Sequence, residues 1–164
     1  MKLKIYTVKG RLIMKKLLLF VSVAILVFMV GCSSKDVSLD SIKDKLKETI
    51  DFSNFSKEEE DSYLKDTFDF DTDKVEAYEM YGPQTNLNTN AVLLLRLKDA
   101  KNASEFKDKI DAYKENLINI YKDYAPDQAK LVEDSVYEEH GKTIVLVISD
   151  KSDEVKKALA SLFK

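Results

Sequence analysis

Asp69, Asp71 and Asp73 alternate in the run Asp69-Phe70-Asp71-Thr72-Asp73, the opening of a calcium-binding loop. A loop of the EF-hand type also needs glycine at its sixth position and glutamate at its twelfth. Lys74 and Met80 stand there, so the run reads as a solvated acidic turn. His140 is the one histidine and follows Glu138 and Glu139. A general base needs a nucleophile or water to act on and a carboxylate to orient it. In a strand the two glutamates point to opposite faces, and no nucleophile accompanies them. A place in a turn explains His140 without catalysis. With 29 acidic residues in the chain, pairs of carboxylates carry no information about glycosidic chemistry. From residue 32 onward the only glycines are Gly82 and Gly141, too few for a phosphate-binding loop, and no H-E-x-x-H occurs. Arg96 is the one arginine there, so bidentate phosphate clamps are scarce. The expectation is no catalysis, no metal and no cofactor.

Tyrosine offers more. Tyr113 and Tyr124 fall on an apolar helical stripe and belong in a core. Tyr78 shares a strand face with Glu76 and Met80, Tyr81 closes that strand, and Tyr121 lies beside the stripe. Tyr78, Tyr81 and Tyr121 are the tentative binding surface, as aromatics near acids are at interfaces. The plain alternative is half-buried rings at sheet edges.

Charge divides the chain. Residues 1–31 carry six bases and no acid, and the rest carries 20 bases against 29 acids, a net charge of −9. So acidic a body is a poor nucleic-acid binder. One cysteine cannot build an intrachain disulfide framework or a zinc cluster. Leu17 to Val30 (LLLFVSVAILVFMV) has only Ser22 polar and follows Lys15-Lys16. Fourteen residues fall short of the roughly 20 that span a bilayer as a helix, and match the apolar core of a signal peptide.

The run ends at Met29-Val30-Gly31-Cys32-Ser33-Ser34, which resembles a bacterial lipobox. The resemblance implies cleavage between Gly31 and Cys32 and a diacylglyceryl group on the Cys32 sulfur. Met29 stands where leucine is usual. Two acyl chains hold stably where one holds marginally. An acidic domain is repelled by anionic lipid, so the anchor must provide retention. The expected place is the cell membrane, lipid-anchored and facing the extracytoplasmic side. MKKLLLF from Met14 is itself a complete start, so translation is expected at Met14 rather than Met1.

The organisation follows: 1–31 signal peptide, 32–36 lipidated cysteine and tether, 37–164 one extracytoplasmic domain. The tether lifts the domain by no more than about 15 Å. Leu39, Ile42, Leu46 and Ile50 predict a first helix capped by Ser38. Ser56-Lys57-Glu58-Glu59 matches a capping box and predicts a second, with Tyr63, Leu64 and Phe68 inward. Lys74 to Tyr81 reads as a strand broken by Gly82-Pro83, and Gln84 to Asn90 as a polar loop. Ala91 to Leu97 is a strand apolar on both faces. Asn102 and Glu105 cap a long helix with the stripe Ala103, Phe106, Ile110, Tyr113, Leu117, Ile120 and Tyr124. Pro126 ends it and starts a short turn of helix. Ser135 to Glu139 and Thr143 to Ser149 form a hairpin about His140-Gly141. Ser152 caps a last helix.

The expected fold is α+β, a single domain with an antiparallel four-stranded sheet of two hairpins, in the order ααββαββα. The long and last helices would cover one face. The first two would cover the other, or leave it to a partner.

Met80-Tyr81-Gly82, AVLLLRL, Ile120 to Pro126 and the hairpin from Val136 to Ser149 resemble a family of small Gram-positive lipoproteins. These carry domain of unknown function four-three-five-eight. The resemblance implies fold and location and no chemistry. The reading that results is a membrane-anchored binding or interaction module with an envelope protein or peptide partner. A carboxylate-based envelope hydrolase acting through Glu76, Glu79 or Glu138 is one alternative, and a structural or assembly lipoprotein another.

Overall fold

A computed structural model describes residues 37–60 and 62–164. The expected signal peptide, the expected Met14 start, Gly31, Cys32 and the expected tether lie outside the described residues. In chain order the elements are α1 Leu39–Lys47, β1 Phe55–Glu58, α2 Ser62–Phe68, β2 Val75–Pro83 and β3 Ala91–Leu97. They continue with α3 Ala103–Tyr121, α4 Pro126–Glu133, β4 Val136–His140, β5 Thr143–Ile148 and α5 Ser152–Leu162.

The two most apolar strands sit side by side in the middle. One antiparallel sheet runs β1-β2-β3-β5-β4. Alternation along a strand sends neighbouring residues to opposite faces. Leu93, Leu95, Ile144 and Leu146 meet Leu64, Phe68, Phe106, Ile110 and Val132 from α2, α3 and α4. Val92, Leu94, Val145 and Val147 meet Ile42, Leu46, Val155 and Leu159 from α1 and α5. Both faces are therefore covered, as strands apolar on both sides require. The pairing of helices differs from expectation: the long helix shares its face with α2 and α4, and the last helix shares the other with α1.

The sheet has five strands, not four. Ser56 to Glu59 carries a helix-start pattern, yet Phe55–Glu58 is an edge strand in register with β2, from Phe55 opposite Pro83 to Glu58 opposite Met80. Its ring contacts explain the outcome. Phe55 packs on Phe52 at 5.7 Å, and Phe52 meets Tyr81 edge-on at 4.9 Å. Pairing also satisfies backbone groups of β2 that would otherwise lack partners. Gly82 and Pro83 consequently extend β2 instead of breaking it. A Cβ on Gly82 would stand 3.2 Å from Glu58 Oε1 and 3.4 Å from Tyr63 Oη, so a larger residue there would shift the Glu58 carboxylate by a few tenths of an ångström.

Helix ends show which local signals act. Ser38 caps α1 by accepting from Ser41 N–H at 3.1 Å. Asn102 makes no cap bond; a 3₁₀ turn precedes α3, and Asp99 caps that turn by accepting from Lys101 N–H at 3.0 Å. Glu105 turns outward to Lys74 Nζ at 2.7 Å. Ser152 is the first residue of α5 rather than its cap, and Ser149 Oγ accepts from Lys151 N–H at 3.1 Å. Helix α3 stops at Tyr121, leaving Ile120 and Tyr124 exposed and Tyr121 buried. The hairpin turn is Gly141-Lys142, not His140-Gly141. Gly141 has φ of 61°, which a primed two-residue turn needs.

Candidate functional site

Strand β2 carries an extra residue. Val75 lies opposite Leu97 and Ala77 opposite Arg96, so Glu76 is inserted as a bulge. The bulge breaks the alternation that would have put Glu76 with Tyr78. Tyr78 and Met80 face the α3 core, and Tyr81 faces the α1 core. Two hollows flank the bulge. One of about 500 Å³ is lined by Ser38, Leu39, Asp40, Glu76, Ala77, Tyr78, Glu79 and Arg96. A smaller one of about 270 Å³ shares Glu76, Ala77 and Tyr78 and is otherwise bounded by Leu64, Thr72 and Val75.

A charged network holds the larger corner cavity. Lys43, on α1, donates to Asp40 Oδ1 and to Glu79 Oε1, both at 2.7 Å. Tyr81 donates to Glu79 Oε2 at 2.5 Å. Arg96 donates to the Val37 carbonyl at 2.6 Å, tying the start of the domain to β3. The bonds to Asp40 and Glu79 hold the Lys43 ammonium well above its usual range. The Asp40 carboxyl is lowered, first by its bond to Lys43 and then by that charge. Burial pushes the Tyr81 hydroxyl up to about 12, assisted by the Glu79 carboxylate.

Of the expected binding tyrosines, Tyr78 lines the cavity and Tyr81 braces its wall from two residues away. Tyr121 is elsewhere: its ring is buried and its hydroxyl donates to the Asn86 carbonyl at 2.8 Å. Lys43 carries no sequence signal, because its partner Glu79 is 36 positions distant.

The acidic run is otherwise employed. Asp69 ends α2 with φ of 56°, and its carbonyl and carboxylate accept from Lys109 Nζ. Asp71 accepts from Asp73 N–H at 3.2 Å, and the Asp73 carbonyl accepts from Lys98 Nζ at 2.8 Å. Among the described residues no group of three or more His, Cys, Asp or Glu is placed to hold a metal ion. His140 stacks on Phe163 at 3.6 Å and lies 3.3 Å from Glu138 Oε2 on the same sheet face. No helix among the described residues is long and apolar enough to cross a membrane.

A second polar cavity, also about 500 Å³, lies at the opposite end of the β2–β3 pair. Half of its lining residues (Gln84, Thr85, Asn88 and Asn90) come from the segment Gln84 to Asn90, read from sequence only as a loop. The alternating Asn86, Asn88 and Asn90 were the available signal.

These features define an α+β domain with a twice-covered antiparallel sheet and polar cavities at both ends of its β2–β3 pair. The chain belongs to the family described as Domain of unknown function (DUF4358), whose model matches residues 48–149. That range takes in the whole sheet and α2 to α4, and leaves α1 and α5 outside. No curated protein and no solved structure matches the chain.

Proposed function

We propose that the protein is a membrane-anchored extracytoplasmic lipoprotein whose domain binds an envelope protein or peptide and performs no catalysis. The paired lysines, the apolar run and Gly31-Cys32 support the anchor. The observation that carries the binding role is the corner cavity wall. Glu79 accepts from both Lys43 and Tyr81, so the carboxylate is fixed in place and committed to two donors. Preorganised polar groups of this kind serve recognition. A hydrolase working through Glu76, Glu79 and Glu138 has less support. Glu138 lies on β4, three strand spacings from β2, or about 14 Å. An assembly role through an open apolar sheet face has less support too, since helices pack on both faces.

Two variants test the proposal together. A photo-crosslinking amino acid at Ala77, which is exposed in the cavity, should give a discrete adduct in intact membranes. Cys32→Ala should release the protein from the membrane fraction and remove the adduct. A Cys32→Ala protein that stays membrane-bound would sink the anchor. Absence of any discrete adduct from the anchored protein would sink the binding role of this cavity.

A further inference from the structure

Strand β4 is one edge of the sheet, and β5 is its one strand neighbour among the described residues. The two-residue turn Gly141-Lys142 joins them, so the flanking pair His140 and Thr143 exchanges both backbone hydrogen bonds. The far side of β5 gives the same phase. The Lys142 carbonyl accepts from Leu97 N–H at 2.8 Å, toward β3, so Thr143 beside it turns its backbone groups to β4. These directions alternate along a strand. Val136, Glu138 and His140 therefore turn their backbone groups to β5, and Tyr137 and Glu139 turn theirs away from the sheet. Among the described residues no backbone partner meets these two N–H and two C=O groups. Glu139 is exposed and Tyr137 half-buried, so the edge is open to solvent. An open edge of this kind is a template for another strand.

The two edges are protected differently. The other, β1, is four residues long and has Lys57 within it, and both features blunt an edge. On β4 the protection is selective. If two copies met edge to edge, the antiparallel register that uses all four groups would put the Glu138 side chains of the two copies directly opposite each other. That pair is not hydrogen-bonded, so its side chains lie closest, and like charges directly opposite destabilise. The net charge of −9 from residue 32 onward adds to the repulsion between copies. The edge refuses its own kind and stays available to a strand of opposite charge.

The side chains beside the edge give the chemistry of that strand. On the α3 face Tyr137 Oη lies 3.1 Å from Glu139 Oε2, and Lys107 Nζ stands 5.6 Å from the centre of the Tyr137 ring. Lys107 is paired with Asp111, so their charges cancel. On the other face Glu138 Oε2 lies 3.3 Å from His140 Nε2. Each glutamate thus has one oxygen engaged within the domain, and two negative charges are left on the edge. Side chains directly opposite on neighbouring strands share a face and interact. A strand laid antiparallel to β4 meets Glu139, Glu138 and Tyr137 in that order. Two consecutive basic residues followed by a β-branched one fit those positions. They form two opposite-charge pairs and one aromatic–β-branched pair, each of which favours pairing. Main-chain hydrogen bonds would supply the affinity and the alternating side chains the selection.

We propose that the open edge of β4 takes an extended basic segment of another protein as an added antiparallel strand. The proposal depends neither on the anchor nor on the corner cavity. The full-length chain in detergent micelles can be titrated with a capped peptide of the order Thr, Thr, Lys, Lys, Val, Thr, Val while backbone amides are followed by NMR. Without peptide, the Tyr137 and Glu139 amides should exchange with deuterium faster than the Glu138 amide between them. The lysine peptide should shift both signals saturably and slow their exchange about fivefold or more. Two control peptides need no change to the protein. N-methylation of the first lysine and of the valine that follows the lysine pair removes the donors facing β4 and keeps the charge. Glutamate in place of both lysines keeps the donors and reverses the charge. Neither control should saturate where the lysine peptide does. The double variant Glu138→Gln with Glu139→Gln should bind the lysine peptide about fivefold more weakly, equivalent to ~1 kcal/mol. Absence of saturation by the lysine peptide overturns the proposal. Equal binding of the N-methylated peptide overturns strand addition, and equal binding of the glutamate peptide or equal affinity in the double variant overturns the basic partner. Slow exchange of Tyr137 and Glu139 before any peptide is added, with or without a dimer in sedimentation, would show the edge already occupied and overturn it as well.

Discussion

Tyr81 Oη and Glu79 Oε2 lie 2.5 Å apart, on the same face of β2 and two positions apart in the chain. Residues at i and i+2 of a strand share a face, so the pair is local. Its third member is not: Lys43 arrives from α1 and takes the other carboxylate oxygen at 2.7 Å. A helix and a strand are thereby joined through one carboxylate.

Alkaline pH tests the tyrosine. Its hydroxyl is raised from 10.0 to about 12, chiefly by burial and then by Glu79. A raised folded value adds stability that is complete below the unfolded value and disappears as pH climbs through the folded one. Stability should therefore fall between pH 10.0 and about 12. Tyr63, Tyr113 and Tyr137 are also raised, burial first in each case, and steepen the fall. Urea midpoints across that interval should drop less in Tyr81→Phe than in the parent. Equal slopes in the two proteins would contradict the assignment.

The ion pair can be isolated by a double-mutant cycle. Lys43 and Glu79 keep only 18% and 16% side-chain exposure, so neither is a fully solvated charge. Lys43→Met should cost about 1–3 kcal/mol, because Glu79 loses its cation in a partly dry place. Adding Glu79→Gln should recover part of that loss, with a coupling of about 0.5–3 kcal/mol in urea unfolding. Strict additivity would show that the pair is an incidental surface contact.

Leu94 and Leu95 are adjacent, fully buried and on opposite faces of β3. Each truncation to alanine should cost about 2–5 kcal/mol, since each empties a packed layer. A loss below about 1 kcal/mol at either one, measured by denaturant unfolding, would mean that its face is not covered as described.

Asp69 holds φ of 56° at the end of α2, a left-handed conformation that glycine adopts freely and β-branched residues avoid. Its ion pair with Lys109 is solvent-exposed on the aspartate side and is worth at most about 1 kcal/mol. Asp69→Gly should stay within about 1 kcal/mol of the parent, and Asp69→Val should cost about 1–2 kcal/mol. Thermal melts of the two variants suffice to distinguish them, and an equal loss in both would indicate that the side chain, not the backbone angle, matters.

The central strands and the long helix were legible because their signals are dense. AVLLLRL and TIVLVIS leave no polar face, and Ala103, Phe106 and Ile110 keep helical spacing into the core. Strand β1 was not legible. Ser56 and Glu59 are local helix-start residues, and the pairing that overrules them comes from Tyr81 to Pro83, some 25 positions away. The bulge at Glu76 is a property of the β2–β3 register, so sequence alternation placed that side chain wrongly. The corner cavity was half legible. Of the three tyrosines singled out, Tyr78 lines the cavity, Tyr81 lies on the other sheet face and reaches it through Glu79, and Tyr121 is buried at the Asn86 carbonyl, while Lys43 announces nothing. The asparagine loop showed its composition without showing that two of its oxygens would be buried and unmatched.

One relationship at the sheet end has a topological consequence. Arg96 on β3 lies opposite Thr143 on β5, which lies opposite His140 on β4. Arg96 grips the Val37 carbonyl and His140 stacks on Phe163. The polypeptide thus enters the domain and finishes its last helix against one row of the sheet, on strands two spacings or about 10 Å apart. Everything between is a closed circuit. The turn at Gly141-Lys142 belongs to the same row, where the Lys142 carbonyl accepts from Leu97 N–H at 2.8 Å. Chain entry and the close of the last helix are thus held at one end of the sheet, and the amide-lined cavity lies at the other.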